Sequence, residues 1–563
     1  SDSGGGAGIQ ADLHTIHSMK CHGCSAITAL TAQNSVGVHD VHIPPISFLQ
    51  SQLSCLSQDL NPVRGIKIGM VGSQELAIAI GDFLSSLKED SKDKQPFVVV
   101  DPVMISTSGH SLINDEAKKA LMEHVFPHAH VLTPNKFEAE ALLGRTLNTP
   151  QEVEQGAKDI LKMGVKAVLI KGGHSLLETS STTPTTTPIS SDVNATIGYA
   201  QDYFLSSIPT NEEPRLCDAS AGVWIRTARY DSVHTHGTGC TLSSAIASAL
   251  ALGHQQRSLL ESGSSGTGAT LAIREVDACC LAKAYVTAGI GQGRQLGQGP
   301  GPVVHTKFPS TSQYYPTIVQ NPTLRTSDTT AFLRMKSPFH RSPSSSSTTT
   351  TTTTTPTLGK ILPIVSTLDE IKMLSSIPSI TDIQLRIKDT SLTSTDISTL
   401  IHNAQSICSD QNKRLWINDY WQDAIDAKCF GVHLGQEDLY KCVHNHGIQA
   451  LRGANLALGI STHSYAELSV ALGIQPSYIS LGPVYNTSSK NVNFDPQGLE
   501  TVCKWRELIP EDVPLVVIGG ISNVERVKEC RRAGAECVAV IGAITKAEDV
   551  NVAVDSLNDA MDV

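Results

Sequence analysis

Five consecutive residues, His236-Gly237-Thr238-Gly239-Cys240, stand directly before the apolar, helix-forming stretch Thr241–Leu252. A glycine turn opening a helix leaves backbone N–H groups unpaired at the positive end of the helix dipole, a ready anion site. In phosphoryl transfer such amides stabilise the charge that builds on the transferred group. Cys240 falls on the same helix end, where a thiol pKa is expected to fall. A second cluster, Gly4-Gly5-Gly6-Ala7-Gly8, allows close backbone approach to a ligand, although alone it reads as a plain turn. Asn135 and Glu138 follow a strand-like run after Pro134. Their spacing puts both on one helix face, fit for Mg²⁺ through water or for a capping Asn beside a solvated Glu. Lys171-Gly172-Gly173-His174 follows another strand end, where α/β sheets place ligands. The single Cys21-His22-Gly23-Cys24 lacks a second ligand pair at zinc spacing and reads as structural.

A different set recurs later in the chain. Gln384, Arg386 and Lys388 alternate with Ile383, Leu385 and Ile387, which places the polar three on one face of a strand, suited to a phosphorylated ligand. Asn418-Asp419 and Gln436-Glu437-Asp438 end the next two apolar runs, and carboxylates at adjacent strand ends form an oxygen set for Mg²⁺. Ser461-Thr462-His463, the Gly482–Lys490 segment with Thr487 and Ser489, Gly519-Gly520 and Gly542 end later runs.

These residues need two scaffolds. In the first part the near-continuous runs Lys67–Val71, Phe97–Asp101, Ala129–Thr133 and Ala167–Lys171 fit parallel strands buried on both faces. The second part has eight runs, at Ile361–Val365, Ile383–Ile387, Leu415–Ile417, Gly431–Leu434, Asn455–Gly459, Tyr478–Leu481, Pro514–Ile518 and Cys537–Ile541. Helix-length segments such as Asp396–Ser409, Tyr465–Leu472 and Val524–Ala533 separate them, the arithmetic of a (β/α)₈ barrel with its chemistry at the strands' C-terminal ends. Between the parts the chain is almost pure Ser/Thr from Ser342 to Thr357, a composition expected to be disordered. The Thr179–Ser191 and Glu261–Thr270 tracts read as surface-loop insertions.

The whole chain has 563 residues, 43 basic and 54 acidic, for a net charge of −11; this balance argues against a nucleic-acid or anionic-membrane surface. No apolar stretch approaches the roughly 20 residues of a membrane helix. Thirteen scattered cysteines read as reduced thiols of an intracellular protein, in plastid or cytoplasm, rather than as a disulfide framework.

The motifs SDSGGGAGIQAD (1–12), SAITALTAQN (25–34), KIGM (67–70), DPVM (101–104), TPNKFEAE (133–140), KGGH (171–174) and HGTGCT (236–241) closely resemble hydroxymethylpyrimidine (phosphate) kinase, a ribokinase-like enzyme of thiamine biosynthesis. The resemblance implies a three-layer α/β/α sandwich over 1–305 and two ATP-dependent phosphorylations. It places Asp12 and Gln33 on the aminopyrimidine and Met70 and Val103 along the pocket. The nucleotide side falls to Asn135, Glu138, Lys171 and Thr238, and the transfer step to Gly237, Gly239 and Cys240. Cys240 stands where many related sugar kinases carry an Asp base, which leaves base and positioning roles both open. The family's first strand, ahead of the glycine loop, is not present in this sequence.

QLRIK (384–388), INDY (417–420), GVHLGQED (431–438), LGISTH (458–463), GPVYNTSSK (482–490), VIGGI (517–521) and VAVIGAI (538–544) closely resemble thiamine-phosphate synthase, implying a TIM (β/α)₈ barrel over 360–563 after a disordered linker at 306–359. That resemblance gives Mg²⁺ to Asp419 and Asp438. It gives the pyrimidine diphosphate to Gln384, Arg386, Lys388, Asn418, Ser461 and Lys490, and the thiazole phosphate to Thr487, Ser489, Gly520, Ile541 and Gly542. Gly542 replaces the family's usual Ser, and Tyr420 its common Arg. The expected partners are small molecules and ATP, with no nucleic acid or membrane and with homo-oligomerisation open. Alternative readings are a pyridoxal-type vitamin kinase, or one half kept as a non-catalytic binding module.

Overall fold

The computed structural model describes residues 1–60, 62–87, 95–104, 113–172, 196–209, 213–261, 273–308, 311–323, 331–339, 355–487 and 496–563. The Thr179–Ser191 tract, Glu261–Thr270 beyond Glu261, and the Ser/Thr run up to residue 354 lie outside them.

The first half is built on a seven-stranded sheet in the order β3-β4-β5-β6-β7-β8-β9. Strands β3 (Gly65–Ile68), β4 (Phe97–Val100), β5 (Val131–Leu132) and β6 (Ala167–Ile170) are parallel. Strands β7 (Thr196–Ser206), β8 (Val223–Tyr230) and β9 (Thr317–Val319) continue the sheet antiparallel. A separate hairpin pairs β1 (Leu30–Gln33) with β2 (Val38–His42). Successive side chains leave a strand on opposite faces. Val99, Val131, Ala167 and Leu169 accordingly join one core with the 238–261 and 275–291 helices, while Val98, Val100, Leu132, Val168 and Ile170 join another with the 74–86 and 150–161 helices. Two cores, one on each face, make the expected α/β/α sandwich.

Strands β7 and β8 were not among the expected ones. They carry buried polar residues, including Gln201, Asp202, Arg226 and Thr227, so no apolar run marks them. The guanidinium of Arg226 donates to Gln201 Oε1 at 3.0 and 2.9 Å, which satisfies both groups inside the sheet.

The second half is a closed parallel barrel of β10 (Ile361–Val365), β11 (Asp382–Leu385), β12 (Arg414–Asn418), β13 (Gly431–Leu434), β14 (Ala457–Thr462), β15 (Tyr478–Leu481), β16 (Leu515–Ile518) and β17 (Cys537–Val540), with β17 pairing back on β10. All eight expected strands form. Leu362, Trp416, Ala457, Tyr478 and Val516 fill the barrel, and Ile417, Leu434, Ile460 and Val517 face the surrounding helices. Gln384, Asn418, His433 and Ser461 share the parity of the inward set.

Two expectations are corrected. Strand β11 ends at Leu385, so Arg386 and Lys388 stand on the loop beyond it. Arg386 continues the ladder for one more hydrogen bond, from its N–H to Val365 O at 2.8 Å, and Lys388 is exposed. The 306–359 segment is ordered in part: β9 belongs to the first sheet, and Lys336 bridges to Thr357 beside the barrel. Tyr314, Tyr315, Ile318, Phe332 and Met335, sparse among polar residues, are buried and anchor it. Among the described residues no helix is long and apolar enough to cross a membrane.

Candidate functional site

In the first half one cavity of about 1620 Å³ is lined by all the residues that the kinase resemblance assigned to the pyrimidine, the nucleotide or the transfer step. Two glycine clusters far apart in sequence interlock to form its floor. Gly237 has φ +81°, and a Cβ there would collide with the carbonyl of Gly6. Gly237 therefore needs glycine for close approach as well as for φ, and Gly6 for close approach, since a Cβ there would collide with His236 Cδ2. Asp2 stitches the clusters together by accepting N–H bonds from Gly4 and Ala7, each at 2.8 Å, and by pairing with His236 Nε2 at 2.9 Å. Burial would raise the Asp2 carboxyl, but His236 and the two amides outweigh it and hold it below its ordinary range.

The 238–261 helix begins at Thr238, so the Gly237–Cys240 amides form its N-terminus, as the spacing implies. The Cys240 thiol departs from expectation. Burial pushes it up, helped by the charges of Asp12 and Asp101 and opposed by Lys67 and the Gly8 amide. Desolvation thus outweighs the neighbouring cation and amide. Beneath this turn Lys171 Nζ pairs with Asp101 Oδ1 at 2.8 Å, and a Cβ on Gly239 would stand 3.3 Å from each partner.

Asn135 and Glu138 form a capping box, with Asn135 N–H to Glu138 Oε2 at 2.7 Å and Glu138 N–H to Asn135 Oδ1 at 2.9 Å. The Glu is not solvated: only 3 % exposed, its carboxyl is pushed up to about 7 by burial and then by Asp101, against the pull of Lys171. Asp12 is not bare either. Lys67 Nζ and Ser244 Oγ both donate to it, at 2.8 Å to Oδ1. Sequence reasoning gave Lys67 and Asp101 no role, although both stand in the quoted motifs. It missed the buried Lys283–Asp202 pair at 2.7 Å altogether. That pair sits under the Lys171–Gly172 turn, whose Gly172 N–H donates to Asp202 Oδ1. His174 lies outside the described residues, while Cys21 is half-buried with its thiol against Met19 O and Ser248 O.

At the barrel mouth Gln384 Nε2 donates to Asn418 Oδ1 at 2.8 Å, and Asn418 Nδ2 to Asp419 Oδ2. Asp419 is pushed up to about 7, by burial and then by the facing Asp438 carboxyl, against the Gly435 amide and Arg386. At Asp419, burial and the facing Asp438 carboxyl outweigh Arg386, an excess of negative charge that a divalent cation would offset; the oxygen donors suit Mg²⁺. Among the described residues no group of three or more His, Cys, Asp or Glu side chains gathers elsewhere or here. Substrate oxygens and water would complete the shell.

Ser461 Oγ is held by His433 Nε2 at 2.8 Å, and His433 Nδ1 by Tyr478 OH at 2.8 Å. The Gln436 amide nitrogen donates to Ser461 O, while its Oε1 is buried without a partner among the described residues. His433 and Tyr478 were not singled out from sequence, and Gln436 only as a member of the strand-end segment Gln436-Glu437-Asp438; barrel closure aligns them. Gly520, at φ +69°, passes so close to Asn486 that a Cβ would lie 2.5 Å from its carbonyl oxygen. Ile541 and Gly542 follow β17 at the same end, and the aliphatic stem of Lys546 lies beside Gly542, a cation that sequence reasoning missed. Thr487 is described, whereas Ser489 and Lys490 lie outside the described residues.

A family model described as phosphomethylpyrimidine kinase matches residues 2–196 and 206–304, and one described as thiamine monophosphate synthase matches 366–544. The chain is 36% identical over 310 residues to a hydroxymethylpyrimidine/phosphomethylpyrimidine kinase of Haemophilus influenzae, covering 55% of this chain and 94% of the relative. It is 30% identical over 557 residues to a thiamine biosynthetic bifunctional enzyme of Arabidopsis thaliana, covering 97% of this chain and 88% of the relative.

Proposed function

This chain belongs to the phosphomethylpyrimidine kinase family and, along its whole length, to the bifunctional thiamine-biosynthetic enzymes, and on that premise we propose how its residues divide the work. The first half phosphorylates 4-amino-5-hydroxymethyl-2-methylpyrimidine and then its monophosphate with ATP. The second half joins the resulting diphosphate to thiazole phosphate, releasing diphosphate and thiamine phosphate. The boundaries of the kinase (1–305) and the synthase (360–563) follow the same reading, with β9 added to the kinase sheet. The pyridoxal-type alternative is not favoured by the relatives' names.

The observation that carries the kinase assignment is the convergence of both glycine turns and Cys240 on one cavity. The substrate hydroxymethyl group would lie against Cys240, with Gln33, Met70 and Val103 around the ring. Asp12, already neutralised by Lys67, offers Oδ2 to the ring's amino group and is not a free base. The Gly237–Gly239 amides would receive the charge of the transferred phosphoryl group and Lys171 the nucleotide's phosphates, while Asn135 and Glu138 would hold the nucleotide's Mg²⁺ through water. Because burial keeps Cys240 protonated, it would hold the substrate hydroxyl and not remove its proton.

In the synthase, Gln384 and Asn418 orient Asp419 toward Asp438, and this pair would hold Mg²⁺. The ion, when bound, supplies Lewis-acid charge at the leaving diphosphate. Arg386, Lys388 and Lys490 would add cations to that diphosphate, and Ser461 a hydroxyl fixed by His433. The amides of Gly520 and Gly542, with Thr487, Ser489 and Ile541, would cradle the thiazole phosphate; Gly542 keeps the amide although it lacks the family's hydroxyl.

Purified protein given ATP, Mg²⁺, the pyrimidine alcohol and thiazole phosphate is expected to form thiamine phosphate. Preferential phosphorylation of pyridoxal would overturn the kinase reading, and no coupling from supplied pyrimidine diphosphate would overturn the synthase reading.

A further inference from the structure

The two halves are not beads on a string. Cys280, Tyr315 and Ile318 of the kinase half share one apolar core with Tyr465, Leu468 and Ala471 of the barrel. The contact centres on the 465–474 helix, which follows β14 and starts at the barrel's catalytic rim. Gly473 lets β9 lie close, since a Cβ there would come within 2.7 Å of Ile318 O.

Charged groups sit inside this contact. Glu467, in the first turn of that helix, is fully buried. Its Oε1 accepts Arg215 Nη1 of the kinase half at 2.7 Å. Its Oε2 accepts the His463 backbone N–H at 2.6 Å and meets the His463 ring Nδ1 at 3.1 Å. His463 is the second residue after Ser461 on the same rim. From the kinase side, buried Asp277 caps the barrel helix by accepting the Ala466 N–H at 2.7 Å, and Tyr315 OH donates to Tyr465 O at 2.9 Å. A helix N-terminus normally finds such acceptors locally; here one of them belongs to the other enzyme.

We propose that the kinase half holds the synthase rim in working geometry, with Arg215 acting through Glu467 to set His463 and the Ser461–His463 turn. Arg215, Asp277 and Glu467 are positioning residues of the synthase. None of them lines the kinase cavity, so the coupling needs no kinase turnover. The inference rests on the reading of the barrel as the synthase. Its physical basis is that a buried carboxylate stays ordered only while its cationic and N–H partners surround it. Removing Arg215 takes away the direct cationic hydrogen bond to Glu467 Oε1 and leaves the His463 turn and the more distant charge of Arg274, so that turn must shift.

The test uses the full chain and measures coupling from supplied pyrimidine diphosphate and thiazole phosphate, together with kinase turnover. Active wild type establishes the synthase reading independently. Arg215→Gln is expected to lower synthase kcat on the order of 10-fold, a loss typical of ångström-scale misplacement, with kinase kcat unchanged and KM for thiazole phosphate within twofold. Arg215→Lys should restore more than half of the lost kcat. Synthase kcat within twofold of wild type in Arg215→Gln, or equal loss of both activities, would overturn the proposal. Should Arg215→Gln not fold, Asp277→Asn is judged by the same kcat and KM criteria.

Discussion

Lys67 Nζ lies 2.8 Å from Oδ1 and 2.9 Å from Oδ2 of Asp12, a bidentate pair largely withdrawn from water within the kinase cavity. Burial alone would lower the Lys67 pKa, yet Asp12, Cys240 and Asp101 together raise it above its ordinary value. Lys67→Met would leave Asp12 with Ser244 as its partner. Breaking a buried pair by removing one member costs about 3 kcal/mol. Kinase activity should be lost as well, because the carboxylate can rotate. The double variant Asp12→Asn/Lys67→Met should recover much of the stability, measured by urea unfolding, and none of the activity. Recovery of both would make the pair purely structural.

Cys240 is expected to work as a neutral thiol. Burial raises it from an ordinary value near 9, so the kinase rate should show no inflection from thiolate formation between pH 6 and about 9. Cys240→Ser, which keeps a hydrogen-bonding group, should retain kcat within about 10-fold, and Cys240→Ala should lose more. A rate that rises with a thiol-like pKa in wild type and not in the Ser variant would restore the base role.

Glu138 makes stability depend on pH with a definite sign. Its carboxyl ionises at about 7 in the fold against an ordinary 4.5. Between those values the folded state holds a proton that the unfolded chain has already released. Its stabilising contribution is therefore full below 4.5 and is lost as pH rises through 7. Glu138→Gln should flatten the pH dependence of Tm across this window, read by thermal unfolding at fixed ionic strength. An unchanged slope would place the titration elsewhere.

Asp419 and Asp438 should account for the metal requirement of the synthase. Chelation by EDTA is expected to abolish coupling, and Mg²⁺ to restore it. Asp419→Asn and Asp438→Asn should each reduce kcat by about 10³-fold, the several kcal/mol that Lewis-acid charge contributes. Mg²⁺ should stabilise wild type against heat by mass action and stabilise neither variant. Coupling by either variant at wild-type rate would remove it from the metal site.

Gly520 gives a conformational test. Gly520→Ala places a Cβ at φ +69° and against Asn486 O, at a cost of about 1–3 kcal/mol. The expected kinetic effect is a raised KM for thiazole phosphate with KM for the pyrimidine diphosphate unchanged. An equal rise in both would point to a general distortion of the rim.

Much of this was legible in the chain itself. The barrel could be counted because its strands are short apolar runs at steady spacing, and closure of the parallel barrel gathers the residues just past each run at one end. The glycine turn that opens the 238–261 helix could be read because Gly237, Gly239 and an apolar helix are contiguous. Strands β7–β9 were not legible, because Gln201 and Arg226 satisfy each other only across paired strands, Asp202 finds its partner in Lys283 81 positions away, and Ile318 sits in a segment whose average composition is that of a linker.

Sequence alone indicated the two scaffolds and the motifs at their helix starts and strand ends, because these depend on local spacing, glycine chemistry and hydrophobic period, and the likeness of those motifs to known families pointed to both enzymes. Tertiary structure decided what those side chains are free to do. It paired Asp12 with Lys67, buried Glu138, raised Cys240 instead of lowering it, and set Asp419 against Asp438. It also brought Arg215 to Glu467, 252 positions away in the chain. Desolvation and Coulomb interaction act through distance in space, and no spacing along the chain records that distance.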